Sequence, residues 1–116
     1  MATNLDFTIV HGEDQELFTI QYLDEEGVAI DLTDCSFKMA AKDSIVSSPF
    51  LDFDSTVDVS NMVITGSSLA VKLTSAQSKA IEVSGGFYDL WIIDSLGQKF
   101  KLLYGNITVD RSVTDA

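Results

Sequence analysis

Gly86-Phe-Tyr-Asp-Leu-Trp-Ile-Ile-Asp-Ser-Leu-Gly97 is the stretch that decides the fold. Read as an extended chain, Tyr88, Leu90 and Ile92 fall on one side and Phe87, Trp91 and Ile93 on the other. The run is rich in aromatic and β-branched residues, which suit a pleated surface. It ends in Asp94-Ser-Leu-Gly97, a hairpin turn in which glycine supplies a positive φ. Large apolar groups on both sides admit two readings. Either this is a central strand covered on both faces, or it packs one face inward and offers the other to a partner.

Working outward, the same turn chemistry recurs at Asp24-Glu-Glu-Gly27, so Gly27 and Gly97 are both expected at positive φ. Period-two alternation marks Leu5/Phe7/Ile9, Phe18/Ile20/Tyr22, Cys35/Phe37/Met39/Ala41, Met62/Ile64, Leu69/Val71/Leu73, Phe100/Leu102/Tyr104 and Ile107/Val109. Val, Ile and Thr make up about a quarter of the chain, and Pro49 is its one proline. Thr74-Ser-Ala-Gln77 has capping-box spacing, which predicts one short helical turn near 75–81. About eight short strands with tight turns predict an all-β, antiparallel, immunoglobulin-like β-sandwich, with a small barrel as the competing architecture. Phe18, Ile20, Phe37, Tyr88, Leu90, Leu102 and Val109 are the expected core.

At 116 residues the chain is long enough for one domain, 1–116, with short tails expected at 1–4 and 111–116. Seven Lys+Arg against 18 Asp+Glu give a net charge of −11, the wrong sign for nucleic acid or anionic lipid. Nine acidic residues precede the first cation, Lys38. They read either as a solubility device or as a face complementary to a basic neighbour. Nothing after Met1-Ala-Thr-Asn reads as a secretory signal, and the apolar run 87–93 is too short to span a membrane.

Chemistry is sparse. One cysteine, Cys35, and one histidine, His11, leave no internal disulfide and no Cys/His metal cluster. Cys35 keeps phase with Phe37 and Met39 and reads as a small apolar core residue; His11-Gly12 reads as a turn. Asp52, Asp54 and Asp58 come nearest to a calcium cluster but lack the glycine and terminal glutamate of an EF-hand loop. No nucleophile elbow or glycine-rich phosphate loop occurs. The sequence therefore predicts neither an enzyme nor a cofactor.

Three segments carry a resemblance: Leu17-Phe-Thr-Ile-Gln-Tyr-Leu-Asp-Glu-Glu-Gly-Val-Ala-Ile-Asp-Leu-Thr33, the 86–97 stretch, and Leu103-Tyr-Gly-Asn-Ile-Thr-Val-Asp-Arg-Ser-Val-Thr114. In this order they resemble small tailed-phage virion proteins, in particular the immunoglobulin-like N-terminal domain of phage baseplate upper proteins and related tail, fibre and head-decoration proteins. Asp34 stands where that family often has glycine after Asp-Leu-Thr, and the Asp43–Ser55 segment is longer and more apolar than the family pattern. The resemblance implies a non-enzymatic virion component, present in multiple copies or as a homo-oligomer and docked on other virion proteins. It implies no catalytic residue. A receptor- or carbohydrate-binding sandwich is the alternative, with Trp91 and Phe87 or Tyr104 as a glycan platform.

Candidate partner-binding residues come from two places. The 43–55 segment holds Phe50, Leu51 and Phe53 in what reads as a long connection, either a lid over its own sandwich or an insert in a neighbour. Phe87, Trp91 and Ile93 supply the second surface.

Overall fold

Alternation of apolar and polar residues, broken by glycine turns, produces nine strands and one helical turn among the described residues. The computed structural model describes residues 2–111. The strands are β1 (Thr3–Asn4), β2 (Phe7–Val10), β3 (Gln15–Gln21), β4 (Ser36–Lys42), β5 (Leu51–Asp54), β6 (Met62–Thr65), β7 (Ser68–Leu73), β8 (Gly85–Ile93) and β9 (Lys99–Asp110). The helix, α1 (Ser75–Lys79), lies between β7 and β8. One sheet runs β1-β9-β8-β4-β5 with β2 also on β9, and the other runs β3-β7-β6. The chain thus crosses between two sheets after β2, β3, β5 and β7 rather than closing a barrel. This order, with β5 extending the larger sheet, is that of an immunoglobulin-like β-sandwich.

The pairings are antiparallel except at the start of the chain, where β1 and β2 run parallel to β9. The expected tail at 1–4 is therefore partly strand, because Thr3 and Asn4 pair with Leu103 and Tyr104. The tail expected at 111–116 lies outside the described residues beyond Arg111.

The inner faces of the two sheets make one core. Ile9, Leu32, Phe37, Leu69, Val71 and Leu90 are completely buried. Of the expected core, Phe37, Tyr88, Leu90 and Val109 are buried. Phe18 and Ile20 are only half-buried, because β3 is an edge strand of the smaller sheet. Leu102 is also half-buried, and its reason is local: β9 bulges there, so that Leu103 pairs with Leu90 while Lys101 pairs with Trp91. The extra residue reverses the alternation, and Leu103 takes the inward position.

Both Asp-x-x-Gly turns form as the sequence predicts. Gly27 and Gly97 have φ of 81°, and each preceding aspartate closes its turn through Oδ1. Asp24 accepts the N–H groups of Glu26 and Val28, and Asp94 those of Leu96 and Gln98. Thr74 caps α1 in a reciprocal capping box with Gln77. The hydroxyl of Ser78, fully buried, donates to the Glu13 carbonyl and accepts the Gly12 N–H, which fixes the helix to the β2–β3 turn.

Candidate interaction surface

The expected long connection at 43–55 is largely a strand and its approach. Leu51 and Phe53 lie on β5, alternate with Asp52 and Asp54, and pair across β4 from Ala41↔Leu51 to Lys38↔Asp54. Both are buried and belong to the core, so neither is available to a partner. Phe50 is half-buried, and its ring lies over Gly86, where a Cβ would meet it at 2.9 Å. The Phe50 N–H donates to the Ala41 carbonyl at 2.8 Å, extending the pairing by one step. Of the two readings of this segment, the structure takes the intramolecular one. Its exposed apolar residues are Ile45 and Val46, in the shortened connection.

The other candidates are placed differently. Tyr88, Leu90 and Ile92 point inward, so Phe87, Trp91 and Ile93 face out from the larger sheet. Phe87 is 37% exposed, Trp91 36% and, beside them on β9, Tyr104 43%; Ile93 is half-buried. Paired residues share a face, and the register therefore lays this surface out as a lattice. Lys42, Phe87 and Asn106 form one row; Asp52, Ala40, Asp89, Tyr104 and Asn4 the next. Asp54, Lys38, Trp91 and Lys101 form the third, and Ser36, Ile93 and Lys99 the fourth.

Charges and aromatics interlock on this lattice. Lys38 Nζ lies 3.8 Å from Asp54 Oδ2, and Lys101 Nζ lies 3.8 Å from Asp89 Oδ2. Lys101 also sits over the Trp91 ring, 5.6 Å from its centroid, within cation–π range. The Thr56 backbone N–H and hydroxyl hold the Asp54 carboxyl below its ordinary value, with Lys38 adding to the effect. In the second row Ala40 is small, and the taller side chains around it leave a shallow groove of about 620 Å³. Phe87, Tyr104, Asn4, Asn106, Asp89 and Lys42 line it, with Ile45 at the rim. The sequence reading found Phe87, Trp91 and Tyr104 but missed the lysines and the recess. Lys38 and Lys42 share a face with Trp91 and Phe87 only because β4 pairs with β8 in this register.

Eight of the nine acidic residues of the first third lie outside the strands, in turns and connections, and Glu16 lies on β3. The Thr33 hydroxyl and N–H bind Asp31 and hold its carboxyl below the ordinary value, the hydroxyl contributing more. Cys35 is half-buried at the same end of the sandwich; burial pushes its thiol up, and Asp94, Asp34 and Asp31 add to the effect. A thiol held protonated is a poor nucleophile. Asp52, Asp54 and Asp58 do not converge: Asp58 Oδ2 accepts the Asp54 N–H, while Asp54 Oδ1 accepts from Thr56. Among the described residues no group of three His, Cys, Asp or Glu is placed to hold a metal ion.

No protein-family model and no curated protein matches the chain. Among solved structures it is similar to extracellular domains 3–5 of Drosophila OTK, at 15% identity and a TM-score of 0.40. That alignment covers 90% of this chain and 32% of the other, so the chain spans about a third of the protein it matches.

Proposed function

We propose that this protein is a non-enzymatic docking module, and that it works as a structural component of a tailed-phage virion, attached to its neighbours in the particle through the outer face of its larger sheet. The observation that carries the docking reading is the cluster of half-open aromatics, Phe87, Trp91 and Tyr104, on adjacent rows of the two central strands β8 and β9. Each gives up burial that an inward position would provide, and a partner surface restores it. Their backbone is fixed by strand pairing on both sides, so the face meets a partner with little ordering cost. The virion setting rests on the sequence resemblance alone. Mass spectrometry of purified particles tests it: the protein is expected at structural stoichiometry, and its absence from particles removes the reading.

The groove favours a second reading, a carbohydrate-binding face. Phe87 and Tyr104 border it, and Asn4, Asn106 and Asp89 offer amide and carboxylate groups of the kind that bind sugar hydroxyls. A glycan array probed with the purified protein separates the two. Saturable binding lost in Tyr104→Ala supports the second reading, and an array without binding leaves the docking module.

A further inference from the structure

We propose that the outer face of the larger sheet is where a second copy of this chain packs, related to the first by a two-fold axis. The inference rests on reading that face as a docking surface, and it names the occupant.

Charge selects the occupant. The four-row lattice holds Lys38, Lys42, Lys99 and Lys101, four of the chain's seven cations, against Asp52, Asp54 and Asp89, three of its 18 acidic residues. This face is close to neutral, while the rest of the chain carries the whole negative excess. Two copies brought together elsewhere would press acid against acid, a repulsion that grows as water is excluded. On this face the two signs alternate, whereas over the rest of the chain fifteen acidic residues stand against three cations. A two-fold contact sets one patch against itself, so the patch must be self-complementary. The Lys38–Asp54 and Lys101–Asp89 pairs, set around Phe87, Trp91 and Tyr104, meet that condition.

Area agrees. The fifteen lattice positions, about 4.8 Å apart across the strands and about 6.7 Å apart along them, give about 480 Å² per copy, the size of a weak, reversible contact. Aromatics and charges interleave across the patch, with Asp89 at its centre already paired to Lys101, so no isolated charge has to be covered. A reversible dimer follows, rather than an obligate one.

Sedimentation velocity on the pure 116-residue chain, from about 1 μM to about 500 μM, tests this. The expected result is a monomer–dimer equilibrium that tightens when salt rises from about 20 mM to about 500 mM, because screening relieves the repulsion between two acidic bodies. Trp91→Ser and Lys101→Glu should each weaken it at least tenfold, whereas Leu96→Ser, in the exposed β8–β9 turn, should leave it unchanged. A thermal melt confirms that each variant is folded, and either face variant suffices. A chain that stays monomeric throughout, a dimer indifferent to both face variants, or one that loosens with salt would each overturn the proposal. A monomeric wild type whose Trp91→Ser variant fails to enter particles overturns the pairing while keeping the docking module. Pairing in a protein absent from particles keeps the dimer and removes the virion reading.

Discussion

The two faces of β8 are made of the same kind of residue and meet opposite fates. Tyr88, Leu90 and Ile92 are all but sealed from solvent, while Phe87 and Trp91 each keep more than a third of their surface open. Composition does not separate them; what each face meets does. The inward side faces the β3-β7-β6 sheet, which contributes Leu69 and Val71 to a common core. No element of the described chain crosses the outward side. The difference teaches that apolar residues on a strand report that something covers them, and only the fold tells whether that something is the same chain.

Large-to-small substitutions should expose the contrast most sharply. Phe53→Ala, on β5, should cost about 3–5 kcal/mol, and Leu90→Ala about 2–5 kcal/mol, each from lost transfer energy plus a cavity. Chemical denaturation measures both. A loss below about 1 kcal/mol at Phe53 would return β5 to the status of a free connection, and the same result at Leu90 would reverse the phase of β8.

Those two residues also mark what was readable in the chain. That β8 is a strand with two apolar sides is legible because seven consecutive aromatic, β-branched and aliphatic residues, broken only by Asp89, lead into a turn, although composition does not say which side is inward. The Asp-x-x-Gly turns and the capping box are legible because their chemistry is local. Phe53 was misjudged because β5 offers only four residues, and the inward Leu51 follows directly on Phe50, which hides the alternation. The bulge at Leu102 and the parallel pairing of β1 and β2 depend on partners far away in sequence. The docking face was half legible for the same reason. Its aromatics lie in one run, whereas Ala40, Lys38 and Lys42 join them across a register that no local pattern encodes.

Backbone and ionisation effects come next in size. Gly27 and Gly97 have open space where a Cβ would stand, so alanine there meets no clash and pays only for the left-handed conformation. Each substitution should destabilise by about 1–2 kcal/mol, and the two should add, since the turns are alike but separate. A neutral result would mean that the turns relax to negative φ. Tyr88 gives a pH-dependent counterpart. Its hydroxyl donates to the Leu5 carbonyl at 2.5 Å, and burial, then the charge of Asp6, push its pKa from 10.0 up to about 12. A raised pKa means that the folded state favours the neutral phenol. Its contribution is complete below pH 10 and is lost as pH rises towards about 12. Tyr88→Phe should cost about 1 kcal/mol at neutral pH, and the difference between wild type and variant should shrink across that window. A constant difference would show that the phenol does not couple to folding.

Trp91→Ser should have the smallest effect on stability, and it is the direct test of the contrast between the faces. Its neighbours on the lattice, Lys38 and Lys101, are themselves open to solvent, so removing the indole leaves no sealed cavity. What is lost is strand propensity and an exposed cation–π contact with Lys101, together no more than about 1 kcal/mol. Leu90, one residue away on the same strand, should cost several times as much when truncated to alanine. Thermal and denaturant melts of the two variants side by side measure the ratio. Comparable losses would mean that the indole supports the fold as much as the core does, and the outward aromatics would then need no partner to account for them. A ratio of about three or more leaves Trp91 with a role that the isolated chain does not use.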